Sequence, residues 1–345
     1  MLINKIKCEL LRAKAYGLPL VFTIGTTSKL ESEGYATPIR VSDAFVLLGC
    51  VIFNERELYE IIPFIDGVCD YIFVDAEKKL PIKSAKENLQ TYSKTIAPYE
   101  TGNLSGICST FIKKSRVFEY KPNDLTVDAA WMFLSEQLKV FSNKKICIIG
   151  LGNIGSKLAL KLVESGADVH VVGRDFHKTQ LITQALNLVK PVGTIASVSC
   201  HSHHLSASFA SDVIIGATSG VTVINKELIG SLRSNAIVID LGKETIEPHA
   251  LDFARDHGLR ICRTDVSTTL VNYVKQVLST NTSGSKFGRR IMGKHTIVSG
   301  GFLGAKGDVI VDDIDNPKEI IGIANGNGGF LTREVNSIVL NEDPE

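Results

Sequence analysis

Three glycines at a fixed spacing give the strongest chemical signal in the chain. They lie in the run Gly150-Leu-Gly152-Asn153-Ile154-Gly155, which follows an apolar stretch and opens a helical pattern. Between a strand and a helix, the first glycine permits a tight turn, the second lets the backbone approach a diphosphate, and the third lets helix and strand pack closely. Free backbone N–H groups and the positive helix end would bind the diphosphate of a dinucleotide. The alternative is a glycine-rich turn that binds nothing.

The end of the next strand favours NADP over NAD as that dinucleotide. An NAD enzyme places an acidic residue there to accept hydrogen bonds from the ribose 2′-hydroxyl. This chain has Gly173-Arg174-Asp175, with Lys178 shortly after. The guanidinium of Arg174 suits a 2′-phosphate, and Lys178 adds a second positive charge. In the alternative interpretation Arg174 is a solvated loop residue and Asp175 binds the ribose of NAD.

Two later strand ends are predicted to lie beside the nicotinamide ribose. Each ends in small residues, and carboxyl ends of parallel strands face the ligand crevice. The residues concerned are Ala217, Thr218, Ser219, Leu241 and Gly242.

Candidate acid and base groups are harder to identify. Hydride transfer leaves a developing charge that needs a proton donor, and a desolvated lysine held by an aspartate can supply it. We predict Lys94 and Asp124 in these roles, with Asp128 one helical turn further on. Alternatively, Lys94 is a surface lysine and Asp124 a helix cap. Lys243 and Glu244 follow a strand end and either contact the substrate or face solvent.

Strands and helices alternate from about residue 145 to residue 262, with the third strand predicted at 192–198. This order specifies an α/β fold with a Rossmann doubly wound parallel sheet. Residues 126–270 form the predicted NADP-binding domain, and 1–125 an N-terminal α/β substrate domain with a partly parallel sheet. Residues 271–345 are rich in Gly, Asn and Asp. They either return to the N-terminal domain or form a small β-appendage.

The cofactor segment resembles several two-domain oxidoreductases. Gly150–Gly155 and Ser211–Val266 are similar to the D-2-hydroxyacid dehydrogenases and the dipicolinate synthase A subunit. Val172–Asp175 is similar to shikimate dehydrogenase and methylenetetrahydrofolate dehydrogenase, which carry an arginine there for NADP. The shikimate dehydrogenase resemblance implies a Lys/Asp catalytic pair, which maps loosely onto Lys94–Tyr99 and Pro122–Asp124. The Glu–His pair of the hydroxyacid dehydrogenases has no counterpart here.

The composition excludes several classes of function. The 345 residues are 44% hydrophobic with a net charge of +1, so no basic field recruits nucleic acid or an acidic membrane. The N-terminus is not a signal peptide and no apolar run could span a bilayer, so we expect a soluble cytoplasmic protein. Seven scattered cysteines indicate no disulfide framework. The run Cys200-His201-Ser-His203-His204 is predicted to be a polar loop, with no metal site.

Together these features predict an NADP(H)-dependent dehydrogenase or reductase. Its substrate would be a small polar carbonyl, imine or hydroxyl metabolite of a biosynthetic pathway. One alternative is a biosynthetic synthase that uses bound nicotinamide transiently, and another is a non-catalytic dinucleotide sensor. The composition is compatible with a homo-oligomer but does not fix the number of subunits.

Overall fold

A computed structural model describes residues 2–27, 33–77, 104–282, 288–299 and 301–332, without the side chains of 280–282. The chain divides into two compact units, Met1–Val271 and Asn272–Glu345. Within the described ranges, no helix is long and apolar enough to cross a membrane.

The first unit contains two sheets, of which the N-terminal one has the strand order β2-β3-β1-β4-β5. Its elements are α1 (Leu2–Lys14), β1 (Leu20–Gly25), β2 (Tyr35–Val41), β3 (Val46–Val51), α2 (Glu55–Ile65), β4 (Tyr71–Asp75), α3 (Leu104–Phe111) and β5 (Arg116–Tyr120). Only β2 runs antiparallel to its neighbour in this sheet. Every residue of β1 is buried, as expected for a parallel strand covered on both faces.

The second sheet of this unit has six parallel strands in the order β11-β10-β9-β6-β7-β8. Its elements are α4 (Pro122–Leu138), β6 (Lys145–Ile149), α5 (Asn153–Glu164), β7 (Asp168–Val172), α6 (Phe176–Val189), β8 (Val198–Cys200), α7 (His204–Ser208), β9 (Val213–Gly216), α8 (Lys226–Gly230), β10 (Ile237–Asp240), α9 (Pro248–Asp256) and β11 (Arg260–Arg263). The order reverses at β6, which is the crevice where doubly wound sheets bind ligands. The predicted α/β fold with a Rossmann sheet is therefore confirmed.

The helix that joins the two sheets begins with a proline. Helix α4 begins at Pro122, a favoured first position because proline lacks the N–H that would be unpaired there. Lys121 precedes the helix without a side-chain cap, so Asp124 does not cap it. The N–H of Asn123 instead donates to Glu77 Oε2 at 2.9 Å.

The second unit contains a five-stranded sheet with the order β12-β13-β14-β15-β16. Its strands are β12 (Arg289–Met292), β13 (His295–Ser299), β14 (Val309–Val311), β15 (Ile320–Ala324) and β16 (Phe330–Thr332). They follow helix α10 (Ser267–Thr282) in the chain. The guanidinium of Arg289 donates to both oxygens of the buried Asp308 carboxylate at 2.9 and 3.0 Å. This pairing holds the pKa of Asp308 below its usual value.

Candidate functional site

A cleft of about 390 Å³ lies where the carboxyl ends of strands from both sheets of the first unit converge. Strands β1, β3, β6, β9 and β10 each end at or just before it. Its lining residues are Thr26, Thr27, Tyr35, Val51, Pro122, Asn123, Thr126, Gly152, Asn153, Ile154, Ala217, Thr218, Ser219, Leu241, Gly242 and Lys243. The volume suits a small ligand. The cleft lies at the position expected for a dinucleotide crevice.

The glycine turn between β6 and α5 fits a diphosphate. Gly150 has φ +104°, a conformation that residues with a side chain rarely adopt. A Cβ on Gly155 would lie 2.0 Å from the carbonyl oxygen of Gly150, so the third glycine is needed for packing. A Cβ on Gly152 would meet no atom within 4 Å. Gly152 therefore has no packing role inside the protein, and its open face lines the cleft.

Two strand-end loops are tied together on the same wall of the cleft. The N–H of Gly242 donates to Gly216 O at 2.9 Å, and the N–H of Gly220 donates to Gly242 O at 3.1 Å. A Cβ on Gly242 would lie 1.8 Å from the carbonyl oxygen of Thr218. These contacts hold Ala217–Ser219 and Leu241–Gly242, all predicted from sequence, in one surface beside the glycine turn.

The residues after β7 have different local roles. Asp175 caps helix α6 by accepting from the N–H of Lys178 at 3.0 Å. A Cβ on Gly173 would lie 2.1 Å from Thr179 Oγ1, so packing against α6 already requires this glycine. Arg174 and Lys178 are both exposed, and within the described ranges neither side chain has an ion-pair partner. Both positive charges are therefore available to an anionic ligand.

The predicted catalytic aspartates lie outside the lining of the cleft. The carboxylate of Asp124 accepts from Lys157 Nζ, and that of Asp128 accepts from Lys161 Nζ. Both lysines belong to helix α5, and one turn beyond Asp128 the indole of Trp131 donates to Ser165 at 3.0 Å. These two contacts fasten α4 to α5, and a catalytic role for the two aspartates stays a prediction. Lys94 lies outside the described residues.

The N-terminal wall of the cleft, formed by the lining residues up to Thr126, was not predicted from the sequence. Thr26 and Thr27 directly follow β1, and Asn123 opens helix α4. Buried Asp75 accepts from the N–H and Oγ1 of Thr26, each at 3.1 Å. The rule that carboxyl strand ends face the ligand applies equally to β1, so the position of these threonines was a usable signal.

The histidine run, predicted to be a polar loop, is a loop only in part. Within the described ranges, no three His, Cys, Asp or Glu side chains are grouped to hold a metal ion. Part of the run belongs to regular structure, because Cys200 ends β8 and His204 begins α7. The rings of His170 and His201 share a hydrogen bond of 2.7 Å between Nδ1 and Nε2. Burial, with the nearby charge of Lys145, lowers the pKa of His170 to about 4.

The lowered pKa of His170 predicts that the protein loses stability in mild acid. The pKa of His170 is about 4 when folded, against a value near 6.5 when exposed, so the unfolded chain binds the extra proton first as pH falls. The contribution of His170 to stability is therefore complete above about pH 6.5 and declines toward pH 4. We expect His170→Asn to reduce the difference in Tm between pH 7 and pH 5, measured by circular dichroism. His249→Asn, at an exposed histidine, serves as the control. An unchanged pH dependence in His170→Asn would contradict the assignment.

Residues 133–253 match the family model described as shikimate / quinate 5-dehydrogenase. The match covers about a third of the chain and agrees with the resemblance to shikimate dehydrogenase that the sequence shows there. A curated relative, the glutamyl-tRNA reductase of Thermosipho melanesiensis, is 31% identical over 121 residues. Those residues are 35% of this chain and 31% of the reductase, so the chain spans about a third of that relative.

Three solved structures that match this chain have low sequence identity to it. L-tryptophan dehydrogenase from Nostoc punctiforme has a TM-score of 0.40 at 12% identity, covering 75% of this chain and 74% of that one. The dipicolinate synthase A chain from Bacillus subtilis has a TM-score of 0.38 at 13% identity, covering 76% and 78%. A chorismate mutase/shikimate 5-dehydrogenase fusion from Clostridium acetobutylicum has a TM-score of 0.37 at 15% identity, covering 76% and 98%.

Proposed function

We propose that this protein is an NADP(H)-dependent oxidoreductase that transfers hydride to or from a small polar carbonyl, imine or hydroxyl metabolite in biosynthesis. One observation carries the proposal: the open face of Gly152 lines the same cleft as the strand-end loops of β9 and β10 and the threonines after β1. A dinucleotide bound along the Rossmann edge would reach a chamber whose opposite wall belongs to the N-terminal sheet.

The cofactor would be held by backbone groups on one side and cations on the other. The turn from Gly150 to Gly155, including Asn153 and Ile154, would bind the diphosphate at the positive end of helix α5. Arg174 and Lys178 would bind the 2′-phosphate. When bound, the nicotinamide supplies the hydride, while this chain binds, orients and excludes water. Asp175 is already engaged as a helix cap, which supports NADP over NAD.

The direct test is titration of the purified protein with NADPH and NADH, followed by fluorescence, and then turnover with keto acids, imines and alcohols. Net NADPH consumption with one of these compounds supports the oxidoreductase. Cofactor recycling without net consumption would favour the transient-cofactor synthase, and tight binding without turnover would favour the sensor. No affinity for either dinucleotide would overturn the proposal.

The cofactor preference rests on Arg174 and predicts a selective loss. Arg174→Ala removes charge-assisted hydrogen bonds to the 2′-phosphate, each contributing about 1.5–3 kcal/mol, so we expect NADPH to bind about 10–100-fold more weakly. NADH affinity should be unchanged because NADH lacks that phosphate. Isothermal titration calorimetry measures both constants. Arg255→Ala, at an exposed arginine paired with Asp252 on α9, is the matched control. Equal NADPH affinity in Arg174→Ala and the wild type would refute the NADP assignment.

A further inference from the structure

The residues that line the cleft are almost all uncharged. The side chains contributed by the N-terminal wall are neutral, among them Thr26, Thr27 and Asn123. The Rossmann wall contributes Lys243 and residues without a charge, among them Asn153 and Ser219. Of the described residues that line the cleft, Lys243 alone carries a full charge.

The amine of Lys243 has no anionic partner within the protein as described. No carboxylate in the described ranges forms an ion pair with it, although the side chain is half-buried. In contrast, Lys157 and Lys161 of α5 contact aspartates of α4. A half-buried cation in a neutral polar cleft gains most from an anion that enters from solvent, because water screens the interaction less there.

The backbone that carries Lys243 is held in an unfavourable conformation. Lys243 and Glu244 are consecutive residues with φ +63° and +57°. Residues other than glycine adopt such a backbone conformation at an energetic cost. Asp240 maintains this turn. Its carboxylate accepts from the N–H of Glu244 at 2.8 Å, from the N–H of Thr245 at 3.3 Å and from Thr245 Oγ1 at 2.8 Å.

The neighbouring loop adds a further hydrogen bond to this turn, because Thr222 Oγ1 donates to Glu244 O at 2.9 Å. Several independent hydrogen bonds therefore hold a strained turn whose first residue faces the cleft. Strain of this kind persists where the surrounding structure over-determines it, and it is concentrated at sites that bind ligands.

From this geometry we propose that Lys243 is the specificity-determining residue of the cleft and binds an anionic group, a carboxylate or phosphate, on the substrate. Asp240 is its positioning residue. The inference deepens the proposed function, because it restricts the substrates of that site to anions. A lysine acts here as a point charge, so it selects charge more strongly than the shape of the anion.

The test uses pairs of probes in which one member carries an anionic group and the other is a neutral relative of it: quinate and methyl quinate, pyruvate and pyruvamide, glycerol 2-phosphate and glycerol. Binding to the full chain is measured by ligand-observed NMR with and without NADP⁺, so the result does not require turnover or cofactor binding. We expect the wild type to bind the charged member of at least one pair about tenfold or more tightly than the neutral member. Higher salt should reduce this preference.

Three variants identify the residue responsible. Lys243→Met keeps the Cβ and the chain length, so it adds no backbone strain, and we expect it to lose the preference for the charged probe. Lys243→Arg should retain the preference, and Lys113→Met, at an exposed lysine outside the cleft lining, should leave it unchanged. NADPH titration of the same variants reports on the proposed function separately.

Two outcomes would overturn the assignment of Lys243. One is a wild-type protein that shows no preference for the charged member of any pair. The other is a preference that survives in Lys243→Met. Loss of NADPH binding in every protein, including the wild type, would instead refute the proposed function while leaving the charge preference measurable.

Discussion

Gly152→Val should lose dinucleotide binding while keeping the fold. The added side chain would meet no protein atom at its Cβ, and Gly152 has φ −86° and ψ −160°, an extended conformation that valine adopts readily. Glycine is a better helix N-cap than valine, so we expect the variant to lose about 1–2 kcal/mol of stability and still fold. The valine methyl groups would occupy the space through which a diphosphate approaches the backbone. The Kd values for NADPH and NADH should both rise at least about tenfold, by fluorescence titration.

Gly193→Val is the matched control for this experiment. Gly193 also has no atom within 4 Å of its Cβ position, but it lies in an exposed turn outside the cleft lining. This variant should match the wild type in both Tm and cofactor affinity. If Gly152→Val bound NADPH as tightly as Gly193→Val does, the diphosphate would not lie against this turn.

The Rossmann half was predictable because its signals are local. In Gly150–Gly155 each glycine meets a requirement of one turn, and strands such as β6 are continuous apolar runs. Strand β8 shows where this reasoning stops. Val192 and Ile195 suggested a strand over 192–198, yet both are almost fully exposed. The strand starts at Val198 because pairing with Val169 of β7 decides its position, and composition does not show that pairing.

The N-terminal half was harder because its strand β2 breaks the usual pattern. Tyr35–Val41 contains Pro38 and Arg40, pairs antiparallel at the sheet edge, and shifts register between Thr37 and Arg40. An edge strand tolerates proline because one side of its backbone has no partner to bond. Its residues are partly exposed, so neither a period of two nor a continuous apolar run marks it.

The catalytic candidates depended on contacts between distant residues. Asp124 and Asp128 carry the right chemistry and spacing for a site, but each is paired with a lysine 33 positions later in the chain. Only the packing of α4 against α5 shows that these pairs form. The same limit applies to Lys243. Its charge is significant because the other residues that line the cleft are neutral, and many of those residues are distant from it in the sequence.

Asp75→Ala should be the most destabilising single polar substitution in the N-terminal wall. Asp75 ends β4 and is 1% exposed, and its carboxylate accepts from the backbone N–H of Thr26 and from that of Glu77 at 2.7 Å. Alanine would leave the buried N–H of Thr26 and the partly buried N–H of Glu77 without this acceptor. Each unsatisfied donor costs about 1–3 kcal/mol, so we expect a total loss of about 3 kcal/mol. This corresponds to a fall in Tm of roughly 6–12 °C, measured by circular dichroism.

The control is Asp70, which directly precedes the first residue of strand β4. Asp70 is exposed and accepts from the N–H of Leu20 at 2.8 Å, so Asp70→Ala should cost only about 1 kcal/mol. Equal losses for the two variants would contradict the role assigned to Asp75.

The effect of Asp75→Ala should extend to ligand binding on the N-terminal wall. Asp75 fixes Thr26 after β1 and Glu77 after β4, and Glu77 in turn holds the N–H of Asn123 at the start of α4. Both Thr26 and Asn123 line the cleft. The glycine turn that would bind the diphosphate belongs to the other wall. We therefore expect the folded variant, at a temperature well below its Tm, to bind NADPH within about twofold of the wild type while KM for the substrate rises at least about tenfold. A parallel loss of both would mean that the two walls do not respond independently to this carboxylate.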